Sequence, residues 1–337
     1  MNIKTSDLQE FSRLSSPLKG HENVLPILDY VKVGNGKLLK TVLTSFVEID
    51  CADATEEMLL DEKQLSIKVK GSKADFLNFK KKDNKVTVTD SVIPSTFQIP
   101  DAKTFPVIPT PTSGKYPVSK NFLSVLKKAQ IFSLPPNYSN LSWMSFVMVG
   151  NGYVCSSDGV IMFTEPVEEQ FKMVLDKDDA KALSALDITH FSESDSYMFF
   201  YGDRVTLGFS KVDLFSYVDI IAYGDSKKGK MEFSLSASDM QDFNWQIIQS
   251  AKTPYVTMTK GKIFRNDADL DIYSERLLES LTPSSDFVYN AEYMNRLLSV
   301  IDNDTIDFYR GQDCYWIIDP EQKFSTLIMR INPDAVK

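Results

Sequence analysis

The chain has 337 residues, of which 43% are hydrophobic and 12% aromatic, with a formal net charge of −9 and a pI near 4.9. This length and apolar content exclude a disordered chain and favour two or three globular domains of roughly 100 to 150 residues each. The acidic balance excludes a protein that coats nucleic acid over its whole surface, but it is compatible with a local basic face.

Residue types that build metal and catalytic sites are sparse. The three cysteines, Cys51, Cys155 and Cys314, lie in apolar, strand-like runs and are predicted to be buried free thiols. The two histidines have no partner at metal-ligand spacing, and no glycine-rich phosphate-binding motif occurs. We therefore predict no metal and no cofactor, and an enzyme would have to work with carboxylates alone. The chain also lacks a membrane-length apolar run and a signal-peptide pattern, which predicts a cytoplasmic protein.

The first third of the chain begins with a predicted helix and continues in strands. Residues 6–9 (SDLQ) fit a capping box, and apolar residues continue at helical spacing as far as Gly20. Residues 23–33 and 37–51 are strand-rich, and the Asn-Gly step between them predicts a hairpin. Residues 61–71 fit a helix or, because their apolar residues also alternate, a strand.

The same order of elements then recurs twice. Ser119 is predicted to cap a helix that is followed by strands at 143–149, 153–155 and 160–164, with a turn at 156–159. A helix at 176–186 and further strands lead to a polar linker at 224–230. The third pass starts with a strand at 233–235 and a helix from Ser238. It continues with a helix capped by Asn290 and three strands between 306 and 331.

The spacing of the second helices indicates duplication at domain scale. These helices start near Asp61, Asp176 and Asn290, at offsets of about 115 and 114 residues. The predicted fold class is therefore α+β, with three tandem copies of a two-helix, antiparallel-sheet domain at 1–113, 114–226 and 227–337.

The chain resembles the bacterial DNA sliding clamps, the β processivity subunits of replicative polymerases. The resemblance is carried by residues 24–28 (VLPIL), 157–159 (SDG), 215–219 (FSYVD) and 287–331, in the order in which that family has them. It implies a non-enzymatic homodimer whose two chains each form half of a ring. The ring would encircle double-stranded DNA regardless of sequence, with helices lining the hole.

The resemblance also implies a pocket for short linear peptides of the DNA polymerase and the clamp loader, between the second and third domains. Its positions in this chain are Leu141, Ser157, Gly159, Val160, Ile161, Met162, Leu327, Ile328, Met329, Arg330 and Ile331. The chain departs from the family where His-Arg-Leu is replaced by Val160-Ile161-Met162 and a usual proline by Ile328. Residues 332–337 extend past the usual end, and we predict that they limit access to the pocket.

Basic residues on the predicted helices are the candidates for contact with DNA phosphates. These candidates are Arg13, Lys19, Lys68, Lys70, Lys73, Lys120, Lys127, Lys128, Lys181, Lys252 and Arg296.

Two other functions are compatible with parts of the pattern. The first is a clamp-fold adaptor that binds peptides without encircling DNA. The second is a carboxylate-dependent hydrolase, which would need acidic residues clustered in one cleft, whereas the acidic residues are scattered along this chain.

Overall fold

The structure is a computed structural model that describes residues 1–16, 18, 25–90, 94–134, 142–211, 229–250, 254–267, 272–319 and 325–331. Several segments singled out in the sequence lie wholly or partly outside these residues. They include the end of the first predicted helix at 19–20, the start of the first strand-rich segment at 23–24, the motif at 215–219, the linker residues 224–228, residues 320–324 of the last motif and the tail at 332–337.

The described residues form an α+β fold, as predicted. Its helices are α1 (Thr5–Ser15), α2 (Glu62–Gly71), α3 (Phe122–Ala129), α4 (Lys177–Ser184), α5 (Ala237–Ser250) and α6 (Ala291–Leu298). Its strands are β1 (Asn2–Lys4), β2 (Tyr30–Gly34), β3 (Lys37–Thr41), β4 (Ser45–Asp50), β5 (Met58–Asp61), β6 (Phe76–Lys82), β7 (Lys85–Thr89), β8 (Pro94–Gln98), β9 (Tyr116–Pro117), β10 (Phe146–Gly150), β11 (Tyr153–Ser157), β12 (Ile161–Pro166), β13 (Met173–Asp176), β14 (His190–Glu193), β15 (Tyr197–Tyr201), β16 (Val205–Ser210), β17 (Met231–Ser236), β18 (Tyr255–Thr259), β19 (Lys262–Asp267), β20 (Ile272–Leu277), β21 (Phe287–Asn290), β22 (Thr305–Arg310), β23 (Cys314–Ile318) and β24 (Ser325–Met329). Among the described residues, no helix has the length and apolar character that a bilayer crossing requires.

The chain folds into two compact units, each built on one large sheet and one small sheet. Unit 1 comprises residues 1–123 and 178–213, and unit 2 comprises residues 124–177 and 214–337. Unit 1 contains an eight-stranded sheet of order β5-β2-β3-β4-β16-β15-β14-β9 and a four-stranded sheet of order β1-β6-β7-β8. Unit 2 contains an eight-stranded sheet of order β13-β10-β11-β12-β24-β23-β22-β17 and a four-stranded sheet of order β20-β19-β18-β21.

The large sheet of unit 1 is joined in its middle by the pairing of β4 with β16. Phe46 lies opposite Gly208 across this junction, and Val47 lies opposite Leu207. The Phe46 ring occupies the space above Gly208, because a methyl group there would come within 1.9 Å of a Phe46 ring carbon. Phe46 also packs against Phe199, with ring centroids 5.9 Å apart. Gly208 is therefore needed for its small size and not for its backbone conformation.

The large sheet of unit 2 has an equivalent junction between β12 and β24. One side of the sheet carries a cluster that includes Met162, Trp316 and Leu327 and also the buried thiols of Cys155 and Cys314. All three cysteines are buried and free, which confirms their predicted state. Both flanks of the junction therefore contribute to one apolar core.

Helix α2 resolves the ambiguity of residues 61–71. The Asp61 carboxylate caps the helix by accepting a hydrogen bond from the Gln64 backbone N–H at 2.9 Å. Leu65 and Val69 are buried, whereas Ile67 is 72% exposed. The i, i+4 pair of Leu65 and Val69 therefore forms the buried face, and the alternation that suggested a strand has no structural role.

Helix α1 forms without the predicted capping box. Its N-cap residue is Lys4, which makes no side-chain capping bond. Thr5 instead ties the helix start to residues far along the chain, since its N–H donates to the Asp75 carbonyl and its hydroxyl to the Ala74 carbonyl. The helix ends at Ser15 and does not reach Gly20. The capping prediction was wrong because these tertiary bonds satisfy the first helical turn.

Other boundaries also differ from the predictions, among them the strand predicted at 143–149, which begins at Phe146 after a 3-10 turn. Residues 26–29, predicted to be strand-rich, form a 3-10 turn that begins at Pro26, where proline suits the first helical position. Helix α3 begins at Phe122 and not directly after Ser119. Helix α5 begins one residue before Ser238, and the Ser236 hydroxyl accepts the Asp239 N–H at 3.3 Å. The predicted hairpin is confirmed, with Asn35 at φ 56° and Gly36 at φ 76°.

Replacing Gly208 with alanine tests the junction of unit 1. We expect Gly208→Ala to destabilise the protein by about 1–3 kcal/mol, because the added methyl group must displace the Phe46 ring from a packed core. Gly114→Ala is the matched control, since its new methyl group would meet no atom within 4 Å. Thermal unfolding followed by circular dichroism measures the difference, and equal midpoints for the two variants would contradict the packing argument.

Candidate functional site

The two predicted walls of the peptide pocket are neighbouring strands of the large sheet in unit 2. Ile161 of β12 lies opposite Ile328 of β24, and Met162 lies opposite Leu327. The Met329 N–H donates to the Val160 carbonyl at 2.9 Å, which extends the pairing beyond β12. Two segments from distant parts of the chain are thus brought together.

Burial divides the predicted pocket residues into two groups. Ile161 and Ile328 are fully buried, Met162 and Leu327 are 4% exposed and Ser157 is 6% exposed, so the side chains of this first group lie beneath the surface. The residues that reach the surface are Gly159, Val160, Met329, Arg330 and Ile331. Leu141 lies outside the described residues. A peptide that binds here would touch the second group directly and the first through its packing.

The turn Ser157–Val160, here called the rim turn, is held by its own side chains. The Ser157 hydroxyl donates to the Ile161 carbonyl at 2.8 Å and accepts the Gly159 N–H at 3.1 Å. Asp158 Oδ1 accepts the N–H groups of Val160 and Ile161 at 3.0 and 2.9 Å. Gly159 has φ +90°, a conformation that other residues adopt only with strain. A turn therefore forms one residue later than the predicted 156–159, and the N–H groups of Gly159, Val160 and Ile161 are satisfied by its side chains.

Four residues that the sequence did not assign to the pocket lie at the rim turn. Asp158 Oδ2 accepts a hydrogen bond from Arg296 Nη1 of α6 at 2.9 Å. The Arg296 guanidinium lies 5.2 Å from the centre of the Tyr293 ring. Burial and then the Asp158 charge raise the pKa of Tyr293, against the effect of Arg296, so its phenol is protonated at neutral pH. Met144 lies against Gly159.

A sequence signal existed for one of these residues only. An aspartate directly before a turn glycine commonly accepts bonds from the next backbone N–H groups, which is the role of Asp158. The contributions of Met144 and Tyr293 depend on distant segments packing together, which no local pattern reports.

The candidate DNA-contact residues fall into two groups in the structure. Arg13, Lys70, Lys73, Lys120, Lys127 and Lys181 have exposed side chains. Three others form ion pairs: Lys68 with Asp90 at 3.5 Å, Lys128 with Glu165 at 3.7 Å and Asp302 at 3.9 Å, and Arg296 with Asp158. Lys19 and Lys252 lie outside the described residues. A phosphate would have to compete with a carboxylate for each member of the paired group.

Unit 1 contains a groove of about 740 Å³ lined mainly by residues of α1 and α2, several of them basic. Arg13, Lys63 and Lys70 line it, and no ion pair holds any of the three within the described part of the chain. Glu62, also at the groove, is bound by the buried Lys40 at 2.6 Å. The groove therefore offers three positive charges, and Lys63 was missed in the sequence.

A metal centre has no support in the described part of the structure. There, no three side chains among His, Cys, Asp and Glu are grouped as metal ligands would be.

Solved structures of bacterial sliding clamps share the fold of this chain, whereas no family profile and no curated protein sequence matches it. The sliding clamp of Bacillus subtilis superposes with a TM-score of 0.83 at 12% identity and covers 98% of both chains. The DNA polymerase III β subunit of Pseudomonas aeruginosa gives 0.80 at 14% identity, over 98% of this chain and 99% of its own. The Helicobacter pylori β clamp bound to a DNA ligase peptide gives 0.79 at 16% identity, over 98% of this chain and all of its own.

The chain has the sliding-clamp fold. Because the alignments with these three clamps span nearly the whole length of both chains, the likeness extends to the complete clamp fold and is not confined to one shared domain. The departures at Val160, Ile161, Met162 and Ile328 therefore lie within a shared clamp framework.

Replacing Gly159 tests the geometry of the rim turn. We expect Gly159→Ala to destabilise the protein by about 1–2 kcal/mol, because alanine resists a positive φ and its methyl group would displace Met144. Gly71→Ala, in open space at the end of α2, is the control. Thermal unfolding provides the measurement, and a Gly159→Ala protein as stable as the wild type would show that the turn tolerates a side chain.

Proposed function

We propose that this chain is a non-enzymatic DNA polymerase processivity factor. Two copies would close into a ring around double-stranded DNA and slide along it without reading its sequence. The polymerase and the clamp loader would bind through short peptides at the rim turn and β24. The observation that carries the proposal is the threefold recurrence of two four-stranded half-sheets along the chain.

The strand orders support three repeats, at 1–113, 114–226 and 227–337. The order β5-β2-β3-β4 recurs as β13-β10-β11-β12 and as β21-β18-β19-β20. The order β1-β6-β7-β8 recurs as β9-β14-β15-β16 and as β17-β22-β23-β24. Each repeat thus contributes two half-sheets of four strands with the same connectivity.

The same orders indicate how a second copy would bind. The equivalent strands β4 and β12 pair with the equivalent strands β16 and β24. The remaining members of these two sets are β20 and β8, and each ends a four-stranded sheet. Pairing of β20 with β8 of another copy, in both directions, would complete two more eight-stranded sheets and close a dimer. Head-to-tail contacts of this kind form a ring when the rotation closes.

Exposed apolar side chains lie beside both open strands. Leu277 and Tyr273 on β20 are 71% and 54% exposed. Ile67, which is 72% exposed, and Phe97 of β8 line one cavity in unit 1. Unpaired strand edges with apolar side chains favour association with another chain.

Binding of DNA and of peptides has separate support. The groove between α1 and α2 presents Arg13, Lys63 and Lys70, which suits a phosphate backbone and carries no sequence information. The Helicobacter pylori clamp binds a DNA ligase peptide, and the Pseudomonas aeruginosa clamp binds griselimycin. In this chain a partner peptide would contact Val160, Met329 and Ile331, whose adaptable apolar surface suits several partners. The protein would act in the cytoplasm.

Sedimentation tests the dimer and the proposed edge. One chain has a mass of 38.2 kDa, so a closed dimer is 2 × 38.2 = 76.4 kDa. We expect the wild type to remain a dimer below micromolar concentration and Leu277→Glu to raise the dissociation constant at least about tenfold, because it places a charge in an apolar interface.

Val107→Glu is the matched control, since Val107 is a 93% exposed apolar residue outside both open strands. A wild type that is monomeric at every concentration would contradict the ring and favour the clamp-fold adaptor.

The salt dependence of DNA binding tests the groove. Changing Arg13, Lys63 and Lys70 together to glutamine should weaken binding to duplex DNA. It should also make the slope of log affinity against log salt concentration shallower by up to about 2.7, since each lost phosphate contact contributes about 0.9.

The control changes Lys80, Lys82 and Lys85, at the tip of the β6–β7 hairpin, to glutamine, which removes the same charge elsewhere. An equal loss of DNA affinity in both triple variants would show that net charge causes the effect, which would contradict specific binding in the groove.

A further inference from the structure

We infer that Arg296 is a positioning residue of the peptide site, acting through Asp158 to hold the rim turn in its binding shape. Arg296 was a candidate for contact with DNA, and the inference gives it a different partner. It rests on the proposed peptide function of that site.

The Asp158 carboxylate links three parts of unit 2. Its Oδ1 atom accepts the N–H groups of Val160 and Ile161, and its Oδ2 atom accepts Nη1 of Arg296 at 2.9 Å. The side chain is 2% exposed, so water cannot replace the arginine without rearrangement. A carboxylate this deeply buried depends on its hydrogen-bond donors and on a compensating charge. Arg296 supplies the charge and two backbone N–H groups supply the remaining bonds.

Arg296 is itself fixed by the helix that carries it. Asn290 caps α6 by accepting the N–H groups of Glu292 and Tyr293. The guanidinium lies over the Tyr293 ring, and 35% of the Arg296 side chain is exposed. The Asp158 ion pair therefore connects the rim turn to a helix whose start and side-chain packing are both determined.

The same region supports the other wall of the site. The Ile331 N–H donates to the carbonyl of Val288, in the strand that leads into α6, at 2.9 Å. The Met329 N–H donates to the carbonyl of Val160, the last residue of the rim turn. Arg296 thus stabilises one wall from the helix that directly follows the strand holding the end of the other wall. Loss of its ion pair would change the spacing between Val160 and Met329, which a bound peptide contacts.

Peptide affinity, amide exchange and DNA retention together test this role. The probe is a fluorescein-labelled DNA ligase peptide of the kind that the Helicobacter pylori clamp binds. We expect Arg296→Gln to weaken its binding about tenfold, Arg296→Lys to restore most of the affinity, and Asp158→Asn, which keeps a capping oxygen, to match Arg296→Gln. The double variant Arg296→Gln/Asp158→Asn should bind the peptide no less tightly than either single variant, because both substitutions remove the same interaction.

Exchange of the Val160 and Ile161 amides should be faster in Arg296→Gln than in the wild type, with retention on circular DNA unchanged. Arg13→Gln is the control, with weaker DNA retention and normal peptide affinity. The inference would be overturned if Arg296→Gln bound the peptide and exchanged these amides as the wild type does. It would also be overturned if Arg296→Gln lost DNA retention and kept its peptide affinity. If the wild type binds no peptide, the proposed peptide function fails, and the amide exchange still decides whether Arg296 holds the turn.

Discussion

Edge-to-edge pairing of strands that are distant in the sequence is the constraint on which the rest of this structure depends. At the two junctions, β4 with β16 and β12 with β24, backbone groups that would otherwise be exposed edges become interior hydrogen bonds. The side chains on both sides then share one core, as the Phe46 ring above Gly208 illustrates. Because the second junction also brings the rim turn beside β24, the candidate peptide site is a direct product of this pairing.

Charge pairing decides which basic residues are available for a nucleic acid. Lys68, Lys128 and Arg296 are each held by carboxylates, and burial raises the pKa of Glu165 against the opposing effect of Lys128. The groove residue Arg13 is exposed, and Lys40 binds the nearby Glu62. An acidic protein can in this way maintain a local positive surface, which is what binding without sequence readout requires.

The candidate peptide site combines an adaptable surface with a rigid support. Met329 presents a flexible apolar side chain beside Val160, whereas the turn that carries Val160 is held by the Asp158 carboxylate, with Gly159 at a positive φ. Such a division suits a site that serves several partners, since the side chains can adjust while the backbone keeps its place.

The sequence by itself determined the α+β class, the hairpin at Asn35-Gly36, the helix cap at Asn290 and the buried thiols, because each follows from local backbone preference or from apolar content. It also placed the rim turn, through the Asp158-Gly159 step. Only the tertiary structure decided that residues 62–71 are a helix, that Thr5 replaces a capping box, and that Arg296 pairs with Asp158. These outcomes depend on which distant groups compete for the same donor, acceptor or buried face, and that competition exists only once the chain has folded.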